Sequence, residues 1–224
     1  MTITQRQVVL LYGGTFDPVH NGHMALLWEV QHQLRAQAVH LLPCYIPPHK
    51  SAPATPVVHR VAMLHLVTDE LNAACGASVF AVDTQEVERG QVSYTIDTLI
   101  ACREQWGPQV ALVWVMGMDS WLQLNTWQRW QELTNYAHLA VVGRPDHQGV
   151  TNPEQQIWSQ TRIAGPDSIR ASAAGGVVML NTTLLAIGST QIREQLQRGI
   201  RPLGLVPSSV DAYIQRHGLY STSN

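Results

Sequence analysis

Cysteine is scarce in this chain, which has only three among its 224 residues, at positions 44, 75 and 102. The cysteines lie 31 and 27 residues apart, so the sequence has no CxxC pair and no Cys/His spacing typical of a metal site. A sparse and odd number of thiols is typical of proteins in a reducing compartment. We therefore expect a cytoplasmic protein.

Charge and long apolar runs are also in short supply. Charged residues make up 13% of the chain and the net charge is -2 with all histidines neutral. Nonspecific nucleic-acid binding needs a basic surface, so we do not expect nucleic acid as a partner. No apolar run reaches membrane-spanning length, and Met1–Gln7 is short and polar, unlike a signal peptide. We therefore expect no membrane association, and the pattern leaves the oligomeric state open.

Hydrophobic residues, at 45%, are plentiful, and strand-like and helix-like segments alternate. The predicted strands are Val8–Tyr12, Val39–Tyr45, Ser78–Val82, Val110–Met116, His138–Val142 and Val177–Leu180. The predicted helices are Met24–Ala36, one with Thr55 as N-cap and Pro56 as its first residue, Thr95–Gln105, a tryptophan-rich Trp121–Leu133, Thr190–Arg198 capped by Ser189 or Thr190, and Pro207–Arg216. This order predicts an α/β fold: a doubly wound, Rossmann-like parallel sheet with helices on both faces.

The length of the chain predicts a single domain. We expect a core over about residues 8–200, followed by a small helical portion over about residues 201–220. Pro145–Gly176 interrupts the alternation, because it is rich in small and polar residues and has little periodicity. We interpret it as a surface excursion. Long structureless loops are uncommon, so it contains a short helix or is a functional or mobile segment.

The most informative stretch is Gly13–His23, which links the first predicted strand to the first predicted helix. In an open α/β sheet this turn is where a ligand phosphate meets a helix N-terminus. Two glycines allow the backbone to approach a ligand closely, and His20 and His23 fall on one helical turn. The stretch thus offers backbone N–H groups, a positive dipole end and two imidazoles at one point.

The same stretch resembles the motif GGTFDPxHxGH of the nucleotidyltransferase superfamily that carries the [H/T]xGH signature. Within that superfamily it is most similar to the bacterial nicotinate mononucleotide adenylyltransferases. The resemblance implies that His20 and His23 contact the phosphates of ATP, with His23 beginning the helix. It also implies that three residues line the phosphate track through their backbone N–H groups: Gly13, Gly14 and Thr15. We expect Phe16 to pack under the loop and Asp17-Pro18 to fix its shape.

Two further segments resemble the nucleotide-binding motifs of this family. Ile187–Arg193 is similar to ISSTxIR, which implies that Ser189, Thr190 and Arg193 bind the β- and γ-phosphates of ATP, Arg193 through its guanidinium fork. Gly188 stands where the family usually has serine, so one hydroxyl is missing. Taken alone, this segment is more typical of a capped helix with a surface arginine, whereas together with the glycine–histidine motif it favours phosphate binding.

Met116–Ser120 is similar to the family's GxDS segment. Its match implies that Gly117 and Asp119 bind ATP, with Asp119 accepting hydrogen bonds from the ribose hydroxyls. The alternative is that Asp119 serves as the N-cap of the following helix.

A last group of residues resembles the segments that select the acceptor. Ser93-Tyr94-Thr95 is similar to the family's SYT, which implies that Thr95 and nearby N–H groups meet the nicotinate carboxylate. Residues 124–127 resemble the family's aromatic segment that ends in tryptophan, which implies that Trp127 stacks on the pyridine ring. The alternative is that Trp127 is a core residue, as most tryptophans are. Lys50, in a PPHK sequence, and Arg144, in an RP dipeptide, match residues that bind acceptor phosphate, but both are also ordinary loop residues.

The resemblance implies an enzyme of NAD biosynthesis that transfers the adenylyl group of ATP to nicotinate mononucleotide. Its products are nicotinate adenine dinucleotide and pyrophosphate. Mg²⁺ is implied with the triphosphate, held mostly by phosphates and water because no protein carboxylate cage is visible. The catalytic residues implied are His20, His23 and Arg193. The alternatives are an adenylyltransferase for nicotinamide mononucleotide or phosphopantetheine, and a non-catalytic nucleotide-binding regulator.

Overall fold

The computed structural model describes residues 5–48, 53, 55–143, 152–183 and 185–221 of the chain. Its centre is one six-stranded sheet in the order β3-β2-β1-β4-β5-β6, in which every neighbouring pair is parallel. The strands are β1 (Val8–Gly14), β2 (Ala38–Pro43), β3 (Phe80–Val82), β4 (Ala111–Gly117), β5 (His138–Gly143) and β6 (Val177–Asn181). This is the predicted doubly wound sheet, and the prediction is confirmed.

Helices cover both faces of the sheet. In chain order they are α1 (Asn21–Leu34), α2 (Val57–Cys75), α3 (Gln85–Arg89), α4 (Thr95–Trp106), α5 (Met118–Leu122), α6 (Leu133–Tyr136), α7 (Pro153–Gln160), α8 (Ser189–Gln197) and α9 (Ser208–His217). Successive residues of a strand point to opposite faces, so β1 sends Val8 and Leu10 to one core and Val9 and Leu11 to the other. The first core contains apolar residues of α1, α2, α8 and α9, and the second those of α4, α5 and α6.

Several predicted boundaries differ from the structure for local reasons. Helix α1 begins at Asn21, ahead of the apolar periodicity, because the histidine motif itself forms its first turn. Pro56 is the N-cap of α2 and not its first residue. The predicted helix over residues 121–133 is broken, because Trp127 is extended and Arg129 has a φ of 51°.

The segment that interrupts the sequence pattern folds against the body of the protein over its described residues. Asn152 caps α7 by accepting a hydrogen bond from the Glu154 backbone N–H, and Pro153 occupies the first helical position. The buried Gln155 donates to the Trp121 carbonyl at 2.7 Å, and Ile169 lies in the first core. Residues 152–176 thus contain a short helix, as one of the expectations had it, and pack against the body of the protein.

The strand order places a topological switch between β1 and β4. The chain leaves β1 toward β2 on one side, whereas β4 leads to β5 on the other, so the connections diverge above their carboxyl ends. In open α/β sheets this divergence forms the ligand crevice. Among the described residues, no helix is long and apolar enough to cross a membrane.

Candidate active site

A cleft of about 670 Å³ lies above the β1–β4 switch. It is lined by the predicted residues Gly13, Gly14, Thr15, His20, His23, Gly117, Asp119 and Ser189, and also by Tyr12, Trp114 and the segment 185–187. Most of the residues predicted to bind ATP thus line one cavity, although they come from the ends of different strands and helices. The chain therefore brings the residues predicted to bind phosphate and ribose together at the switch.

The two glycines at the end of β1 are required by close packing. A Cβ on Gly13 would lie 2.4 Å from the Trp114 ring, and a Cβ on Gly14 would lie 2.9 Å from the Phe16 ring. Phe16 is buried, with 2% of its surface exposed, and supports the loop from below as expected. The absence of side chains lets the backbone of β1 run against these rings and still face the cleft.

His20 and His23 form a stacked pair at the start of α1. Their ring centroids are 3.7 Å apart, and the backbone N–H of His20 donates to Nδ1 of His23 at 3.2 Å. His20 is therefore the N-cap, and His23 is the third residue of the helix and not its first. Because Nδ1 of His23 accepts a hydrogen bond, the proton of its neutral ring lies on Nε2, which is left as a donor.

Burial keeps both rings neutral. It lowers the pKa of His20 to about 4, and it lowers the pKa of His23 well below the usual value, with the neighbouring His20 adding to the effect. Nδ1 of His20 is buried and has no hydrogen-bond partner among the described residues. This atom lies against the first turn of α1, where the His20 side chain and the backbone of His23 are arranged as a capping box.

Residues from α8 and the C-terminal segment hold the loop that carries the histidines. Arg193 donates to the Asp17 carbonyl at 2.7 Å, and Ser189 donates to the Pro18 carbonyl at 3.0 Å. Tyr220 donates to Oδ1 of Asp17 at 2.7 Å. The prediction that Ser189 or Thr190 caps α8 is wrong, because Gly188 is the N-cap and the Ser189 hydroxyl donates to the loop.

Arg193 and Thr190, both predicted to bind phosphate, are not among the residues that line the cleft. The second guanidinium nitrogen of Arg193 donates to the Thr190 hydroxyl at 3.2 Å. In this conformation Arg193 therefore supports the loop that carries the histidines and does not face the cleft.

Asp119 is exposed at the mouth of the cleft. It lies in the first turn of α5, whose N-cap is Gly117, so the alternative role of Asp119 as a cap does not apply. A Cβ on Gly117 would approach Oδ1 of Asp119 to 2.5 Å. The Asp119 carboxylate also raises the pKa of the Tyr12 phenol, after the larger effect of burial. Asp119 thus presents a carboxylate acceptor to the cleft.

A smaller cleft of about 280 Å³ adjoins the first. Its own lining includes Thr95 and the loop after β2, while the wall shared by both clefts consists of Gly13, Gly14, Thr15, Trp114, Asp119, Ser120 and Trp127. Trp127 is half-buried and opens into both clefts, in contrast to Trp121, a core residue with 4% exposure. The tryptophan predicted for the ring stack thus lines both cavities, as Trp114 also does.

Sequence reasoning missed a buried arginine beneath the clefts. Arg60 of α2 is 1% exposed and donates to the Thr15 carbonyl at 2.7 Å and the Cys44 carbonyl at 2.8 Å. It therefore joins the loops that follow β1 and β2, both of which line the smaller cleft. Nothing in the local sequence marks this residue, because both of its partners are distant along the chain.

Two of the predicted acceptor-binding residues, Lys50 and Arg144, lie outside the described residues. Within the described part of the chain, no group of three or more His, Cys, Asp or Glu side chains could hold a metal ion. The cleft therefore offers neutral imidazoles, backbone N–H groups and one carboxylate, a set suited to phosphate and ribose.

Comparison with known proteins agrees with this geometry. The family model described as cytidylyltransferase-like matches residues 11–195. A protein of Saccharophagus degradans named as a probable nicotinate-nucleotide adenylyltransferase is 40% identical over 218 residues, which cover 95% of this chain and 96% of that protein. A protein of Cellvibrio japonicus with the same name is 39% identical and covers 96% of this chain and 99% of its own length.

Solved structures are similar in fold at low sequence identity. The Plasmodium falciparum nicotinic acid mononucleotide adenylyltransferase in complex with APC superposes with a TM-score of 0.70 at 16% identity, covering 96% of this chain and 97% of that one. The same protein in complex with NaAD gives a TM-score of 0.69 at 17% identity, with the same coverage.

Proposed function

The chain belongs to the cytidylyltransferase-like family, among the nicotinate-nucleotide adenylyltransferases, and we propose how it works from this premise. In this proposal the two clefts bind ATP and nicotinate mononucleotide side by side, so that the adenylyl group passes from one to the other. The observation that carries the proposal is the wall shared by the clefts. ATP occupies the larger cleft and the acceptor the smaller one. Their reacting phosphates then meet at Gly13–Thr15.

The ATP side follows from the groups that line the larger cleft. Backbone N–H groups at the end of β1 and at the start of α1 face the phosphates, and Nε2–H of His23 donates to an oxygen of the triphosphate. His20 contributes the second imidazole. Asp119 accepts hydrogen bonds from the ribose hydroxyls.

The transfer itself needs positioning more than covalent chemistry. A 5′-phosphate oxygen of the acceptor attacks the α-phosphorus of ATP in line, and the bond to the leaving pyrophosphate breaks. Negative charge develops on the phosphate oxygens, where His20 and His23 stabilise it by hydrogen bonding. Arg193 reaches the β- and γ-phosphates if it leaves the Asp17 carbonyl when ATP binds.

Mg²⁺ enters with the triphosphate in this proposal. The described residues of the cleft provide a single carboxylate, Asp119, and two imidazoles, so phosphate oxygens and water supply most of the ligands. When bound, the ion neutralises charge on the leaving pyrophosphate. The proposed setting is cytoplasmic, with ATP and nicotinate mononucleotide as partners.

The acceptor side is built from the start of α4 and from Trp127. Thr95 and neighbouring N–H groups recognise the nicotinate carboxylate, while the Trp127 ring stacks on the pyridine ring. Lys50 and Arg144 contribute positive charge for the acceptor phosphate in the same proposal.

A comparison of acceptors tests the function. Pyrophosphate release from ATP is measured with nicotinate mononucleotide and with nicotinamide mononucleotide at matched concentrations. We expect much faster release with the nicotinate compound, because the site presents donors to its carboxylate. Equal rates would refute the proposed recognition of the carboxylate, and no release with either acceptor would refute the transfer.

A further inference from the structure

Glu86 is a buried carboxyl group in the wall of the smaller cleft that the proposed reaction does not use. It lies on the short helix α3, which the sequence pattern did not predict, and only 3% of its surface is exposed. A buried carboxyl group needs hydrogen-bond donors around it. The residues that donate hydrogen bonds to Glu86 indicate what this side chain does in the fold.

The donors of Glu86 come from the acceptor side of the site. The Thr98 hydroxyl donates to Oε1 of Glu86 at 2.6 Å, and Arg89 donates to the same hydroxyl at 2.9 Å. Burial raises the pKa of Glu86, while hydrogen bonds from Thr98 and Ser93 act in the opposite direction. The hydrogen bond from Thr98 thus ties Glu86 to α4, and Ser93, in the turn before α4, lies close enough to lower the pKa of Glu86.

Ser93 continues the network to the loop after β2. Its hydroxyl accepts a hydrogen bond from the Tyr45 backbone N–H at 3.0 Å, and its own N–H donates to the Ile46 carbonyl at 2.9 Å. Ser93 is therefore held to the loop after β2 by two hydrogen bonds, and it neighbours Glu86 in the wall of the smaller cleft. Thr95 follows two residues later as the first residue of α4.

This arrangement sets the position of the helix start that faces the acceptor. The first N–H groups of a helix have no partners within it and serve as donors to an anion. Their value for a carboxylate depends on placement, because a small displacement lengthens the hydrogen bonds. Whatever fixes the turn at residues 93–95 therefore controls how well the carboxylate is recognised.

We propose that Glu86 is a positioning residue that sets the specificity for the acceptor, by fastening Ser93 and Thr98 so that the start of α4 faces the ring carboxylate. The proposal rests on the proposed function and deepens it. Glu86 acts through the turn and does not touch the reacting phosphates. Its loss therefore alters acceptor recognition, while ATP binding in the larger cleft is preserved.

The test compares Glu86→Ala with the unmodified protein in steady-state kinetics. We expect KM for nicotinate mononucleotide to rise about tenfold, as for the loss of a hydrogen-bonded buried group, with KM for ATP within about twofold. The preference for nicotinate over nicotinamide mononucleotide, as a ratio of kcat/KM, is expected to fall. The nicotinamide compound gains less from well-placed donors because its ring carries a neutral amide in place of the carboxylate.

Three further variants make the test specific. Glu86→Gln retains a hydrogen-bond acceptor and is expected to restore most of the acceptor affinity. Thr98→Val removes the donor at the other end and is expected to resemble Glu86→Ala, which keeps the proposal testable if the alanine variant does not fold. Glu88→Ala is the matched control, because that glutamate is exposed on the same helix and contacts Thr84.

The outcomes separate this inference from the proposed function. If the unmodified protein does not use nicotinate mononucleotide, the proposed function fails. If it does, but folded Glu86→Ala and Thr98→Val keep its acceptor KM and preference, the positioning role is refuted. A parallel rise in KM for ATP, or a glutamine variant no better than the alanine variant, also contradicts it.

Discussion

The stacked imidazoles of His20 and His23 are the residues on which the proposed chemistry depends most. Replacing His20 by alanine is expected to lower kcat by about a hundredfold, because removing one donor at a site of developing charge has an effect of this size. KM for ATP should change far less, since the contact tightens as the reaction proceeds. His65→Ala, an exposed histidine on α2, is the control. Unchanged turnover would remove His20 from the mechanism.

The same histidines make stability depend on pH. Above about pH 7.5, one unit above the histidine pKa of the unfolded chain, both rings are neutral in the folded and the unfolded chain, so they add no dependence. As the pH falls toward about 4, the histidines bind protons in the unfolded chain, whereas the buried rings of the folded chain stay neutral. The free energy of unfolding therefore falls, by up to about 1.4 kcal/mol per pH unit for each ring.

Urea unfolding between pH 4 and 8 measures this effect. The raised pKa of Glu86 acts with the opposite sign, because the folded chain holds that proton more tightly. The informative quantity is therefore the difference between the unmodified protein and His20→Asn, whose stability should fall less steeply with acid. Identical slopes would show that His20 is not held neutral by burial.

At the scale of single residues, the sequence allows a site to be predicted where its residues stand close together in one motif. Gly13, Gly14, His20 and His23 are adjacent in one motif, so their chemistry is visible in a single stretch. Glu86 depends on partners that only the fold brings near, and a glutamate in a short polar segment carries no signal of burial. It was therefore not predictable without the packing.

Among the elements, the strands and most helices were predictable and the irregular segments were not. Strands buried on both faces are continuous apolar runs, as β4 shows, so the parallel sheet could be predicted. Helix α3 has only five residues and no apolar stripe. Residues 121–133 are rich in tryptophan, but the three tryptophans lie in different surroundings. Trp121 lies in the core, Trp127 lines the clefts, and Trp130 packs against Trp158.

Helix α2 contributes to the site through the Arg60 side chain, and replacing Arg60 tests that contribution. Arg60→Met is expected to lower the free energy of unfolding by about 2–5 kcal/mol, because the carbonyls of Thr15 and Cys44 lose their donor. KM for both substrates should rise, since both loops border the clefts. Urea unfolding and kinetics measure the two effects, and Arg216→Met, exposed on α9, is the control. A variant as stable as this control would contradict the bridging role.

At the scale of the whole molecule, the strand order explains why residues that are far apart in the sequence line the same cleft. Because β1 and β4 are neighbours, the glycine motif and Asp119 meet at the switch, and α8 returns to the same edge with Ser189. The C-terminal segment closes the arrangement. The Leu205 carbonyl accepts from the Asn21 backbone N–H at 2.9 Å, and Tyr220 reaches Asp17.

Because of this closure, we expect ATP binding to depend on Tyr220, near the end of the sequence. Tyr220→Phe removes the hydroxyl that donates to the buried Asp17, and we expect the free energy of unfolding to fall by about 1–3 kcal/mol. KM for ATP should also rise, because the loop carrying the histidines loses one support. Tyr213→Phe is the matched control: its hydroxyl is hydrogen-bonded to His59 at 2.9 Å, between α9 and α2. It should therefore lower stability without changing KM for ATP. Equal KM values in the two variants would mean that the C-terminal segment stabilises the fold without positioning the phosphate loop.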